Sequence, residues 1–302
     1  MIVYSLLAAD EYLGYARFVL PSERKGVRER LKTNVCFAVG AAKDGLAVGL
    51  AVMNVSDHDG KKYGFLHTVN VRPDYLRQGM GTQLVSIALV QARQLGCSAV
   101  SIAYGREYDW SPELEKILAG QGFVEKCASQ VFNIQVNESD WASLSRWMNS
   151  LLRSGCDVLP RGFAMIPYKE MTQAIRDKIA AGRDQWFTQD LCPFWQAEKI
   201  NQKISQILLK DDEPVGWLII CNAGADAVLY RNMVIKKEYR GLGLFVSMLY
   251  HGIAPVCESR TVTRALFNTD TKNTKMLSAI KKVLKPCSYT VKTQVTMEKS
   301  MV

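Results

Sequence analysis

Apolar and polar positions along the chain follow two periods that take turns. Residues 35–41 and 46–55 are apolar runs rich in β-branched residues, separated by Lys43-Asp44-Gly45, a hairpin signal. A third run covers 64–71. After a turn at Pro73, apolar residues at Leu84, Val85, Ala88, Leu89 and Ala92 recur at helical spacing, and Gly96 stops that helix. A strand over 99–104, a helix from Pro112 through 119, and strands at 123–124 and 130–136 complete the half. The second half repeats this order. It has a strand over 205–209, a polar turn at 210–213, and strands over 215–221 and 228–235. A helix near 244–251 and a strand near 262–267 follow. Met276, Leu277, Ile280 and Val283 mark a further helix, and a strand over 289–297 closes the half.

The repetition extends to individual residues. Val69-Asn70-Val71-Arg72-Pro73-Asp74-Tyr75 and its glycine turn lie over Met233-Val234-Ile235-Lys236-Lys237-Glu238-Tyr239 and a second glycine turn, at a constant offset of 164. Upstream, Val48-Gly49-Leu50 matches Val215-Gly216-Trp217 at an offset of 167. Two copies of one domain are therefore expected, over 1–137 and 161–302, with 138–160 between them. The fold class is α/β, a mixed α+β arrangement in which helices flank each mostly antiparallel sheet. Within the connector, Trp141, Leu144, Met148 and Leu151 fall at helical spacing, with Asp140 as N-cap and Gly155 as stop. This pattern predicts an amphipathic helix packed on one domain.

Composition narrows the picture. The 302 residues are 48% hydrophobic and 22% charged, which fits a globular chain with a sizeable core and excludes a disordered or fibrous one. The longest uncharged stretch, 241–257, is broken by His251 and Pro255, so no membrane span is expected. The first residues lack a basic segment and turn acidic at Asp10 and Glu11, unlike a signal peptide. Eight cysteines are dispersed without a CxxC pair, and His58, His67 and His251 are scattered, so no metal site is expected. The thiols fit a reducing, cytoplasmic compartment. A net charge of +9 is compatible with nucleic acid, an anionic surface or an anionic cofactor. Basic residues alternate with acidic ones, as over 22–30, which is also how a solvated surface reads. A nucleic-acid role ranks last.

A strand, a glycine turn and a helix N-terminus together form a phosphate-binding unit, because first-turn amides lack intrahelical partners and the helix dipole adds positive charge there. Gln78, Gly79, Met80, Gly81 and Thr82 provide this in the first copy. Val71-Arg72-Pro73-Asp74-Tyr75 followed by Leu76-Arg77-Gln78-Gly79-Met80-Gly81 resembles the signature of the GNAT superfamily of acyl-CoA-dependent N-acetyltransferases, V-x-P-x-Y then [Q/R]-x-x-G-x-[G/A]. Arg240-Gly241-Leu242-Gly243-Leu244-Phe245 matches it less completely. Asn268, Asn273 and Met276 resemble the family's segment after its fifth strand, and Gln121-Gly122-Phe123 resembles its terminal L-G-F. The resemblance covers nearly the whole chain and is to a tandem GNAT protein, an arrangement also seen in mycothiol synthase.

The resemblance implies splayed sheets and transfer of an acetyl group from acetyl-CoA to an amine of a small molecule or protein, with no metal. It also leaves open a non-catalytic acyl-CoA-binding or regulatory protein. It assigns acetyl-CoA binding to residues 78–82 and to Arg240, Gly241, Gly243, Asn268 and Asn273. Backbone amides of Val69 and Val71, or of 233–235, become the oxyanion donors. Leu76 departs from the signature, whereas Phe245 replaces a small residue and crowds the phosphates, favouring the first copy; the Asn273-x-x-Met276 segment favours the second. The family's tyrosine acid falls on Leu118 and Ile280, which have no proton to give. Tyr104, Tyr108 and Asp109 are the candidate substitutes, and Tyr104 reads equally as a core aromatic. His67 reads as a base or as a half-buried structural histidine. Tyr230, Tyr250 and His251 carry the same ambiguity in the second copy. Trp186, Phe187, Phe194 and Trp195 are either pocket walls or core. Segments near 10–33 and 170–196 are expected to shape the acceptor site.

Overall fold

The computed structural model describes residues 1–301 other than Asp59, Cys156 and Pro286; the side chains of Glu138, Ser139 and Val283 also lie outside the description. The chain divides into two compact units. One comprises Met1–Ser129 with Lys292–Val302, the other Gln130–Val291.

In unit 1, β1 (Ile2–Leu6), β2 (Cys36–Lys43), β3 (Leu46–His58) and β4 (Lys61–Val71) pair antiparallel in sequence order. Asp44 and Gly45 close the β2–β3 hairpin with φ of 52° and 78°, the double positive φ that suits the right-handed strand twist. β4 then pairs parallel with β5 (Cys97–Gly105), and α2 (Met80–Gln94) makes the crossover. Beside β5 lies no sequence neighbour but Gln294–Ser300, from the end of the chain.

Both faces of this sheet are covered, so its strands read as apolar throughout. On one face Val39, Ala51, Met53 and Leu66 pack against Met80, Leu84 and Ala88 of α2 and Leu118 of α3 (Ser111–Gly120). On the other, Ala38, Leu50 and Val52 meet Tyr12 and Phe18 of a 3₁₀ segment (Glu11–Phe18) and Val27 and Leu31 of α1 (Arg24–Lys32).

After β6 (Val124–Gln135) and α4 (Glu138–Arg153), unit 2 repeats the plan. β7 (Phe163–Pro167), β8 (Gln206–Lys210), β9 (Glu213–Asn222) and β10 (Ala227–Ile235) run antiparallel, and β10 is parallel to β11 (Arg264–Asp270). Asp211 and Asp212 turn the β8–β9 hairpin with φ of 48° and 64°. α6 (Leu244–Ser259) covers one face with Leu244 and Met248. Ile179 of α5 (Gln173–Ala181), Tyr168 and Phe187 cover the other, where Trp217 is fully buried. α7 (Thr274–Val283) precedes β12 (Ser288–Ser300).

Several expectations are revised. The two strands expected at 123–124 and 130–136 are one strand, β6 (Val124–Gln135). α6 continues past Pro255 to Ser259, well beyond 251. Asn137, not Asp140, is the N-cap of α4; the Asp140 carboxylate instead accepts from the Asn137 amide at 2.9 Å. The seven described cysteines are free, and Cys156 lies outside the described residues. No helix among the described residues is long and apolar enough to cross a membrane.

Candidate active site

The two units share one local geometry after their fourth strands. A 3₁₀ turn, Pro73–Tyr75 or Lys237–Tyr239, leads to a glycine in the left-handed region that caps the next helix: Gly79 (φ 76°, ψ −1°) or Gly243 (φ 76°, ψ −7°). Two residues earlier, Arg77 and Gly241 also have positive φ, 60° and 95°. A side chain at Arg77 makes that conformation costly by about 1–2 kcal/mol, which glycine avoids. Gln78, Gly79 and Thr82 are exposed, Gly81 is half-covered and the Met80 side chain is buried beneath the turn. A Cβ at Gly81 would meet only the flexible end of Ile117, at 3.0 Å.

Beside this turn the sheet opens. The parallel ladder between β4 and β5 ends at Phe65–Ser101, although β4 continues to Val71. The Arg72 amide donates to the Val48 carbonyl at 2.8 Å. Backbone polarity alternates along a strand, so Asn70 and Thr68 also face β3, while Val69 and Val71 turn their amides toward the gap. The opening begins at a β-bulge: Leu66 and Thr68 pair with consecutive residues of β3, and His67 is looped out.

His67 points to the α1 face. Its side chain is 24% exposed, and Nε2 lies 3.9 Å from Glu23 Oε2. Burial, and then the Arg30 guanidinium, hold its pKa below the ordinary histidine value, with Glu23 opposing them. The imidazole is therefore neutral near pH 7 and able to accept a proton.

The two candidate tyrosines have separate fates. Tyr104 is buried, its hydroxyl donates to Glu115 Oε1 at 2.8 Å, and burial followed by that bond raises its pKa. It is part of the core beneath α3. Tyr108 is 45% exposed and leans on Gly105 at the end of β5. Trp110 stacks on its ring at 5.1 Å, and the Lys292 ammonium sits 5.0 Å above the ring. Lys292 also donates to the Tyr108 hydroxyl at 3.4 Å. Leu118 and Ile280, at the family's tyrosine position, are buried hydrophobes.

Unit 2 has the same opening. Its parallel ladder ends at Tyr230–Phe267, and Arg231 is the residue looped out of the β10 ladder. The Arg231 guanidinium donates to the carbonyls of Trp195, Cys192 (3.2 Å) and Pro193 (3.4 Å). Asn232 and Trp217 both donate to the Leu191 carbonyl, at 3.2 and 3.1 Å. The loop over 191–195 is thereby fastened across the face that carries Glu23 and His67 in unit 1. Arg240 turns its Nε back to the Ile235 carbonyl at 2.9 Å. Asn273 caps α7, accepting from the Met276 amide at 3.2 Å, and Asn268 is exposed on β11 beyond the ladder's end. Trp186 and Phe187 pack on Trp217 as core, whereas Trp195 is exposed. The Tyr230 hydroxyl donates to the Gly252 carbonyl, and burial lowers the pKa of His251.

Sequence reading did not single out Glu23, Arg30, Tyr12 or Arg231. Only the constant offset of the repeat could have signalled Arg231, which lies 164 residues after His67. Among the described residues, no group of three or more His, Cys, Asp and Glu side chains is placed to hold a metal.

Residues 3–108 match the family model described as Acetyltransferase (GNAT) family. No curated protein matches the chain. A tandem GNAT protein from the clavulanic acid biosynthesis pathway aligns with a TM-score of 0.62 at 14% identity, over 100% of this chain and 99% of its own. A GCN5-related N-acetyltransferase from Sphaerobacter thermophilus gives 0.63 at 12% identity, over 99% and 96%. A GCN5-related glucosamine N-acetyltransferase region of a fungal multi-domain GH3 beta-N-acetylglucosaminidase gives 0.64 at 14% identity; this chain covers only 38% of that one. At such identities the likeness is one of fold. The class is thus the tandem GNAT fold. The family-model match lies within unit 1.

Proposed function

We propose that unit 1 transfers an acetyl group from acetyl-CoA to an amine, and that unit 2 is a degenerate, structural copy. The observation that carries this reading is the contrast between the two openings. In unit 1 the gap beside Val69 and Val71 adjoins a glycine turn with room for an anion. In unit 2 a large residue, Phe245, stands where Gly81 does, and Arg231, Asn232 and Arg240 are engaged by the chain itself.

The amides of Gln78, Gly79, Met80, Gly81 and Thr82 would hold the pyrophosphate, with Val69 and Val71 flanking the pantetheine arm. His67 takes a proton from the ammonium form of the acceptor. The amine then attacks the thioester carbonyl, and the oxyanion forms against a β4 amide. The C–S bond breaks as the tetrahedral nitrogen gives up its second proton, and Tyr108 or water passes that proton to the departing thiolate, so that the amide and the free thiol form. A thiol pKa near 8.5 makes that acid helpful rather than essential. The free, mostly buried cysteines support a reducing compartment such as the cytoplasm.

Thiol release from acetyl-CoA across a panel of amines tests the reading. Release that is lost in His67→Ala and kept in Arg231→Ala supports it. Acetyl-CoA binding without release from any amine favours the acyl-CoA-binding or regulatory alternative, in keeping with the absent tyrosine at 118.

A further inference from the structure

On the face of the unit 1 sheet that carries His67, one carboxylate serves two basic side chains. Glu23 Oε2 lies 3.9 Å from Arg30 Nη2 and 3.9 Å from His67 Nε2, at the outer limit for either pair. Arg24 spends its Nε on the Val19 carbonyl at 3.1 Å. The neighbouring charges are already matched: Arg28 pairs with Asp10 at 2.9 Å, and Lys32 with Glu29 at 3.0 Å. With His67 neutral, Arg24 and Arg30 exceed Glu23 by one positive charge.

An independent observation concerns Tyr12. Its side chain is 1% exposed, and its hydroxyl has no hydrogen-bond partner among the described residues. Arg30 Nε is likewise buried without a partner. Arg24, Cys36 and Arg30 are the charged or ionisable groups that act on the Tyr12 hydroxyl, so it faces the same cluster. Native proteins seldom leave buried donors unpaired, and each such group calls for an explanation. Guanidinium offers a planar fork that fits a carboxylate, and a hydroxyl can complete the second oxygen.

We infer that the acceptor is an amine that also bears a carboxylate, with Arg30 and the Tyr12 hydroxyl receiving the carboxylate and the amine lying toward Glu23 and His67. This rests on unit 1 being the transferring unit. A surplus of one charge matches a carboxylate better than a doubly charged phosphate. Glu23 attracts the ammonium, and His67 takes its proton.

The test uses the full-length protein and acetyl-CoA with free α- and ω-amino acids, each beside its carboxamide. Thiol release should show kcat/KM at least tenfold higher for the acid of the preferred pair. Assayed well above the acid limb set by His67, Arg30→Gln should erase that preference chiefly by raising KM for the acid more than for the amide, and Arg30→Lys should restore part of it. Tyr12→Phe, which keeps the packing, should cut the preference severalfold and guards against misfolding of the arginine variants. In parallel, the melting shift given by the acid but not the amide should vanish in Arg30→Gln. Equal use of acid and amide, or an equal loss for both in Arg30→Gln, overturns the inference. If no amine releases thiol yet the Arg30-dependent shift persists, the transfer reading fails and the carboxylate site stands. If thiol is released without any such shift or preference, the carboxylate site fails and transfer stands.

Discussion

His67 and Arg231 hold the same place in the two units, each the single residue looped out of the fourth-strand ladder where the parallel pairing ends. They use it in opposite ways. His67 keeps a half-buried imidazole facing Glu23, whereas Arg231 is spent on three carbonyls of the chain's own loop. A bulge re-aims one side chain, so the residue at this position is turned off the ladder in both units and its identity decides what it meets.

Removal of the imidazole should affect chemistry and spare the donor. His67→Ala is expected to lower kcat/KM by about 10²–10⁴-fold, the usual worth of a positioned base. Its acetyl-CoA-induced melting shift should match that of the unaltered protein. Parallel loss of that shift would mean that His67 supports the fold rather than the proton transfer.

The acidity of His67 predicts the pH profile. The charged groups that act on it are Arg30 of α1, which lowers its pKa, and Glu23 at the N-cap of that helix, which raises it. The histidine pKa is lowered, so the acid limb of kcat/KM should lie below about 6.5. Glu23→Gln removes the opposing interaction and should move that limb further down; Arg30→Gln should move it up. Stability changes in the same window. Below about pH 6.5 the unfolded chain binds the proton more readily than the folded one, so this residue's contribution is lost as pH falls and restored as it rises. A limb that ignores both substitutions would remove His67 from the rate expression.

Tyr108 and Tyr104 should separate cleanly. Tyr108→Phe is expected to cost at least about tenfold in kcat, less than the usual 10²–10⁴-fold if water replaces it, with little change in melting. Tyr104→Phe loses the bond to Glu115 and should cost about 1 kcal/mol of stability with kcat unchanged. Stopped-flow thiol detection and thermal melts on both variants distinguish the roles.

The unpaired hydroxyl of Tyr12 makes a stability forecast of unusual sign. Tyr12→Phe keeps the ring packed among Phe18, Val27 and Leu31 and removes a buried donor without a partner. Unliganded protein should gain up to about 1 kcal/mol, since an unsatisfied buried polar group costs about 1–3 kcal/mol. Denaturant midpoints at fixed m-value would reveal it. A loss of stability would mean that the hydroxyl is already satisfied.

Most strands and helices were legible because both faces of each sheet are buried and both periods are strong. The glycine turn was legible twice, since Gly79 and Gly243 require a backbone that few other residues adopt at low cost. α1 was not: of its nine residues only Val27 and Leu31 are buried, and the rest are mostly charged. The pairing of Gln294–Ser300 with β5 joins segments almost 200 residues apart in sequence and leaves no local pattern. Bulges are set by the partner strand, so neither His67 nor Arg231 could be read as looped out. Tyr104 and Tyr108 look alike in sequence; strand parity buries the first, and the bend after Gly105 exposes the second.

The most direct test of the account asks which glycine turn holds the donor. At acetyl-CoA one hundred times its Kd, binding should stabilise the protein by roughly 2.7 kcal/mol, a melting shift of about 5–10 °C. Gly81→Phe, which installs in unit 1 the residue found at 245, should abolish that shift measured against the variant's own baseline. Phe245→Gly should leave the shift as it was. Retention of the full shift in Gly81→Phe, or its loss in Phe245→Gly, would contradict the assignment of the donor site to unit 1.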